Sequence, residues 1–278
     1  MKSIISIEDL RFSWPKGPPI LQISKFQLAQ GERLLVQGPS GIGKTSLLSL
    51  ISGIIRPQAR LFNVLGEDLL RLPAAACDRL RGARMGVIFQ QFNLLPYLSV
   101  LQNVLLPTQL FPEREKRCIT EDASAQAQAE RLLDALGLPA AAWHRPSHTL
   151  SVGQQQRVAA ARALIGAPDL ILADEPTSAL DEDRQQEFMR LLMEQARLTG
   201  AACIFVSHQR SLNEFFDRAI REKWTGEMVM QRLAKGVFDP EFFTPYHFEI
   251  QVAFQRQFGG TLVTSKKSFF QKLFGASQ

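Results

Sequence analysis

Apolar positions along the chain fall into two alternating patterns. The segments "RLLVQG" (Arg33–Gly38), "MGVIFQ" (Met85–Gln90), "DLILADE" (Asp169–Glu175) and "ACIFVSH" (Ala202–His208) are short and apolar on both faces. Such runs predict strands of a parallel sheet that is covered on both sides. Helical periods occupy Lys44–Ser52, Ala123–Leu136, Gln154–Leu164 and Glu182–Leu198. Strand–helix alternation predicts an α/β protein with helices packed on a mostly parallel sheet. The stretches "SIISIEDLRFSW" and "LQISKFQLAQGE" instead alternate residue by residue, which predicts an antiparallel β subdomain beside the main sheet.

Residues 90–168 break this rhythm, with Pro96, Pro107, Pro112, Pro139 and Pro146 set among helical patterns. They read as a helical subdomain inserted into the α/β core, with the sheet resuming at Asp169. A second change comes after Ala234: nine of the nineteen phenylalanines lie between Phe238 and Phe274, so residues 235–278 are read as an appendage to a domain of residues 1–234. Within it "KKSFFQKLFG", if helical, would be basic on one side and apolar on another, as interfacial segments are. Docking of this tail on the body, contact with a membrane or permease, and disorder all stay open.

Composition narrows the classes. The chain has 278 residues, 45% of them hydrophobic and 21% charged, which fits an ordinary globular protein of one or two domains. Cys77, Cys118 and Cys203 are scattered without metal or redox spacing and read as small apolar residues in a reducing compartment. His144 and His148 are separated by Pro146, which argues against a shared helix face and a metal pair. The amino terminus lacks a signal-like apolar core, and no run approaches the ~18 residues of a membrane span. The expectation is an intracellular protein whose membrane spans, if it works at a membrane, belong to another chain. The net charge of +5 comes without a run of five like charges. That balance suits a phosphate ligand or an anionic membrane face, and no specific nucleic acid is expected.

The chemistry is concentrated in two segments. "GPSGIGKTS" (Gly38–Ser46) follows a predicted strand and opens a predicted helix, fitting G-x-x-x-x-G-K-[ST]. Gly38, Pro39, Ser40, Gly41, Gly43, Lys44, Thr45 and Ser46 make up this cradle. Its glycines let backbone N–H groups turn toward an anion, and the helix start adds the positive end of its dipole. Lys44 would reach the β- and γ-phosphates of a nucleotide, and Thr45 would offer its hydroxyl to Mg²⁺. The second segment, "LILADEPTSALD" (Leu170–Asp181), delivers Asp174 and Glu175 to the carboxyl end of a buried strand, where α/β sheets hold their ligands. Asp174 suits a metal-holding role through a water, and Glu175 suits polarising or positioning the attacking water.

A third segment, "LSVGQQQRVAAARAL" (Leu150–Leu164), combines a serine, a glycine and a helix start, the parts of an anion site. With it, the chain from about Ser3 to Arg232 resembles the ATP-binding subunit of ABC transporters. The resemblance implies that Ser151, Gly153 and Gln154 form a signature loop that grips the ATP of a second copy, giving a homodimer in the ATP state. Val152 departs from the glycine usual at its position, and its β-branch narrows the backbone choices there. By resemblance Trp14 stacks on adenine, Gln90 touches Mg²⁺ and the attacking water, and His208 stands near the γ-phosphate. Ser178–Asp181 matches a loop crossing the dimer interface, and "QFNLLPYLSVLQNV" matches the groove for a membrane permease. The stretches "VIFQQFNLLPYLSVLQNVLLP" and "RPSHTLSVGQQQR" look most like the lipoprotein-releasing and macrolide-export branch. The implied activity is ATP hydrolysis driving transport, peripheral to the cytoplasmic face of the inner membrane. A soluble ATPase of the same family, acting on ribosomes or DNA, is the alternative; those relatives carry two cassettes or long coiled coils, and here there is one cassette and no sustained heptad.

Overall fold

The computed structural model describes residues 2–15, 19–38, 41–209 and 211–221. The reading of residues 235–278 as an appendage lies outside them, as do Pro39 and Ser40 of the cradle. In chain order the elements are β1 (Ser3–Ser13), β2 (Pro19–Ala29), β3 (Arg33–Gln37), α1 (Lys44–Ile51), β4 (Leu61–Val64) and β5 (Glu67–Asp68). Then come α2 (Ala74–Arg84), β6 (Met85–Ile88), α3 (Val100–Leu110), α4 (Pro112–Asp122) and α5 (Ala125–Ala135). The last are α6 (Val152–Leu164), β7 (Leu170–Asp174), α7 (Glu182–Leu198), β8 (Ala202–Ser207) and β9 (Arg218–Arg221).

Two sheets form. The parallel one has the order β6-β7-β8-β3-β9, and the antiparallel one the order β2-β1-β4-β5. Successive residues of the parallel strands serve opposite cores. Leu35, Ile171, Ala173, Cys203 and Phe205 face one that also holds side chains of α3, α5, α6 and α7. Leu34, Val36, Leu172, Ile204 and Val206 face another shared with α1 and the antiparallel sheet. That division explains strands apolar on both faces: each buried aliphatic side chain contributes roughly 1.5–3 kcal/mol of burial whichever way it points. In β1 the alternation changes phase at Asp9, whose backbone is left-handed (φ 52°). Ile5 and Ile7 before it and Leu10 and Phe12 after it are therefore all buried.

The strands end one or two residues before the runs do, at Gln37, Ile88, Asp174 and Ser207, where the chain leaves the ladder for the loops at the carboxyl edge of the sheet. Gln90 does not close a strand: β6 stops at Ile88, and Gln90 sits in the turn that follows. Helix α5 runs Ala125–Ala135 rather than Ala123–Leu136, since Ala123 is left-handed and Ser124 is the cap. Helix α6 begins two residues before Gln154, at Val152, because Ser151 caps it. Helices α3, α4, α5 and α6 form the helical layer. Arg114 of α4 joins that layer to the sheet. Fully buried, it donates to the carbonyls of Gly82, Met85 and Ile165. Burial pushes its pKa down to about 10.

Candidate active site

Sheet order brings the polar groups together. β8 lies between β7 and β3 in register, with Asp174 beside Val206 and Gln37 beside Ser207. The carboxyl ends of three strands therefore release the phosphate-loop residues, the acidic pair and His208 side by side. The loop after β3 turns into α1 at Gly43, whose φ of 105° is left-handed. A Cβ there would meet Ile20 Cγ2 of β2 at 2.7 Å, so the position excludes any side chain twice over. The same contact sets the β1–β2 end, which carries Trp14, against the loop. Trp14 is 47% exposed and meets Phe12 edge-on, with its centroid 5.2 Å away. A large exposed aromatic face is what stacking on a planar base requires.

Lys44, the first residue of α1, is buried, and its Nζ donates to the Gly38 carbonyl at 2.7 Å. It also lies 3.7 Å from Glu175 Oε1. Burial lowers the Lys44 pKa from its ordinary value, against the opposing pull of Glu175 and Asp174. Burial likewise raises that of Asp174, against a hydrogen bond from the Thr45 hydroxyl. Both charges are thus held poorly solvated, which strengthens their interaction with any further charge that enters. Glu175 itself is left-handed (φ 45°), and its N–H donates to the Val206 carbonyl at 3.0 Å. A non-glycine residue in that conformation costs roughly 1–3 kcal/mol, and here the bend turns the carboxylate back over the strand ends. His208 Nδ1 lies 3.2 Å from Glu175 Oε2, so the carboxylate spans the lysine and the imidazole.

Thr45 and Asp174 supply oxygen donors in mutual contact, which suits a hard cation that takes one or two protein ligands and completes its shell with phosphate and water. Among the described residues no cluster of three or more His, Cys, Asp or Glu could hold a metal by itself.

Lys44, Thr45, Asp174, Glu175 and His208 are therefore joined in one place. Gly41 and Ser46 belong to the same loop and helix start, and Gln90 emerges from β6, the strand beside β7. Ser151, Gly153 and Gln154 stand elsewhere, at the start of α6. The contacts of Ser151 and Gln154 are mutual: Gln154 N–H donates to Ser151 Oγ at 3.3 Å, and Ser151 N–H to Gln154 Oε1 at 3.1 Å. Gly153 faces Leu180 of the Ser178–Asp181 segment. Val152 occupies the first helical position with ordinary helical backbone, so glycine is not required there, and its side chain is exposed. One contributor was missed in sequence. Gln209 accepts from the Gln37 side chain through its carbonyl and meets Thr177 Oγ1 through its amide, tying β3, β8 and the segment after Glu175. No signal marks it, because a glutamine after a strand reads as surface.

Comparison with known proteins agrees with this geometry. Residues 21–178 match the model of the ABC transporter family. The chain is 35% identical to the lipoprotein-releasing system ATP-binding protein LolD 1 of Rhodopseudomonas palustris, over 80% of this chain and 96% of that one. It is 36% identical to the macrolide export ATP-binding/permease protein MacB of Marinobacter nauticus, covering 82% of this chain but only 34% of that longer protein. Among solved structures, the ATP-binding cassette MJ0796, a dimer in a post-hydrolysis state bound to ADP and Pi, superposes with a TM-score of 0.69 at 29% identity. That match covers 79% of this chain and 94% of the cassette. The match of residues 21–178 to the family model, and the identity to LolD 1 over most of both chains, show that the chain belongs to the ABC transporter family, as an ATP-hydrolysing subunit.

Proposed function

We propose that two copies of this chain close face to face around ATP, each nucleotide lying between the Lys44 cluster of one and the start of α6 of the other. The observation that carries this is the form of that helix start. Helix α3 opens with the same reciprocal box as α6, Ser99-Val100-Leu101-Gln102 against Ser151-Val152-Gly153-Gln154. Leu101 shows that the box itself does not need glycine at its third position. Gly153 instead leaves the end of α6 bare, so a phosphate can approach its N–H groups. Ser151 Oγ accepts from Gln154, and its own O–H proton stays available to donate.

In this reading Gly38, Gly41, Gly43 and Ser46, with Pro39 and Ser40, wrap the phosphates, Lys44 neutralises them, and Trp14 stacks on the base. Thr45, Asp174 and Gln90 would hold Mg²⁺, which would supply charge neutralisation at the phosphates. Glu175 takes up a proton from the attacking water, and His208 positions Glu175 and the terminal phosphate. The relatives' names, lipoprotein release and macrolide export, favour work on a membrane permease docked at residues 91–104, with the chain peripheral to the cytoplasmic face of the inner membrane. No described helix is long and apolar enough to cross a membrane.

Glu175→Gln tests the reading. The amide keeps the shape but accepts no proton, so ATP binds and hydrolysis falls by on the order of 10²–10⁴. Light scattering then records an ATP-dependent dimer that persists. A variant that hydrolyses ATP normally, or stays monomeric with ATP, refutes it.

A further inference from the structure

Two successive residues after the β6 turn have left-handed backbones, Phe92 (φ 59°) and Asn93 (φ 49°). Asparagine tolerates that region, but a buried phenylalanine enters it only when its surroundings hold it there. The holding group is the guanidinium of Arg162, in the last turn of α6. Its Nη2 donates to the Phe92 carbonyl at 2.5 Å and its Nη1 to the Asn93 carbonyl at 2.8 Å. Upstream, the Phe92 N–H closes a turn onto the Phe89 carbonyl at 2.9 Å, and Gln90 is one of the two residues inside it. Downstream, Asn103 and Ser147 hold Leu95, and His148 meets the Pro96 carbonyl. From Phe92 onward the loop is therefore fixed to the helical layer, whereas Ile88 is fixed to the sheet through Ala173. Gln90 lies in the short joint between the two.

We infer that Arg162 is a positioning residue for hydrolysis, transmitting the placement of α6 to Gln90 through the carbonyls of Phe92 and Asn93. Ser151 and Arg162 sit at opposite ends of one continuous helix, about 16 Å apart at 1.5 Å per residue. A nucleotide that seats Ser151 thereby shifts the fork that sets the turn around Gln90. Guanidinium geometry matters, because its rigid planar fork aims separate nitrogens at two adjacent carbonyls, a fixed geometry that a freely rotating ammonium on a flexible stem does not impose. The burial that lowers the pKa of Arg162 also strengthens these two bonds.

This inference rests on the two-chain reading above, and its test separates the two. Hydrogen exchange is measured on the full chain carrying Glu175→Gln, with and without Mg-ATP, and again with Arg162→Gln added. ATP is expected to protect residues 151–154 in both proteins, but residues 89–93 only where Arg162 is present. In the hydrolytic chain, Arg162→Gln lowers kcat on the order of tenfold with KM for ATP changed less than about threefold. Arg162→Lys, which keeps the charge and serves as the fallback should the glutamine variant fold poorly, gives the same split at smaller size. Equal protection of residues 89–93 without Arg162, or parallel loss in kcat and KM, overturns the inference alone. Absence of protection at 151–154 in the chain that retains Arg162 overturns the two-chain reading and this inference with it.

Discussion

Gly43 and Gly153 are both glycines at the start of a helix, yet the fold treats them differently. At Gly43 a methyl group meets Ile20 and Leu21 below 3 Å on a left-handed backbone. Gly43→Ala is therefore expected to cost about 2–4 kcal/mol, combining the left-handed penalty with overpacking, and to abolish ATP binding in calorimetric titration. At Gly153 the backbone is helical, and a Cβ comes only to 3.5 Å from Leu180, an ordinary contact. Gly153→Ala is expected to leave the melting temperature unchanged or raise it by the equivalent of up to ~1 kcal/mol of helix propensity. Nucleotide binding to one chain survives, and ATP-driven association measured by light scattering is lost. An alanine variant that associates normally removes the role given to the bare helix start. Both glycines were legible in sequence, because the phosphate cradle and the serine–glycine helix start are local patterns. The bend at Glu175 and the fork of Arg162 were not, since each depends on backbone conformations or partners set by distant segments.

Helix α4 shows why one element escaped the sequence reading. In "PEREKRCITED" charged residues dominate, so no apolar period announces a buried face. The face exists nonetheless: Arg114 and Cys118, one turn apart, are its buried residues. An arginine within a charged run reads as solvated, and only the tertiary fold reveals the carbonyls it serves: those of α2, β6 and the end of α6. Those carbonyls include unsatisfied ends of two helices, which a cation at a helix carboxyl terminus suits. Arg114→Met keeps most of the volume but strands several buried acceptors, each worth about 1–3 kcal/mol when left unpaired. The expected loss in urea unfolding is at least ~3 kcal/mol, and a second transition should appear as the helical layer separates from the sheet. A change below ~1 kcal/mol would mean that water replaces the guanidinium at this joint. By contrast α7 matched its expected bounds, because it carries Asp181 as a cap, acids in its first turn and a regular apolar stripe.

For the molecule as a whole, strand–helix alternation predicted a parallel sheet but not its order. Placing β8 between β7 and β3 is what joins Lys44 to Glu175, and that pairing spans more than a hundred residues, beyond any local pattern. The same distance argument governs the start of α6, whose contacts are local here and whose use is assigned to a second copy. Complementation decides between use in the same chain and use in a partner. Lys44→Ala damages the phosphate cradle, and Ser151→Arg blocks the helix start, so each variant alone is expected to stay monomeric with ATP. In a face-to-face pair made of one of each, one pocket combines both lesions and the other combines intact Lys44 with intact Ser151. Mixing the two in the Glu175→Gln background should therefore restore ATP-dependent dimers, weaker than the parent because one nucleotide rather than two links the chains. Differential tags and light scattering separate mixed dimers from self-association. If both groups acted on ATP within one chain, neither variant would own an intact site and mixing would restore nothing.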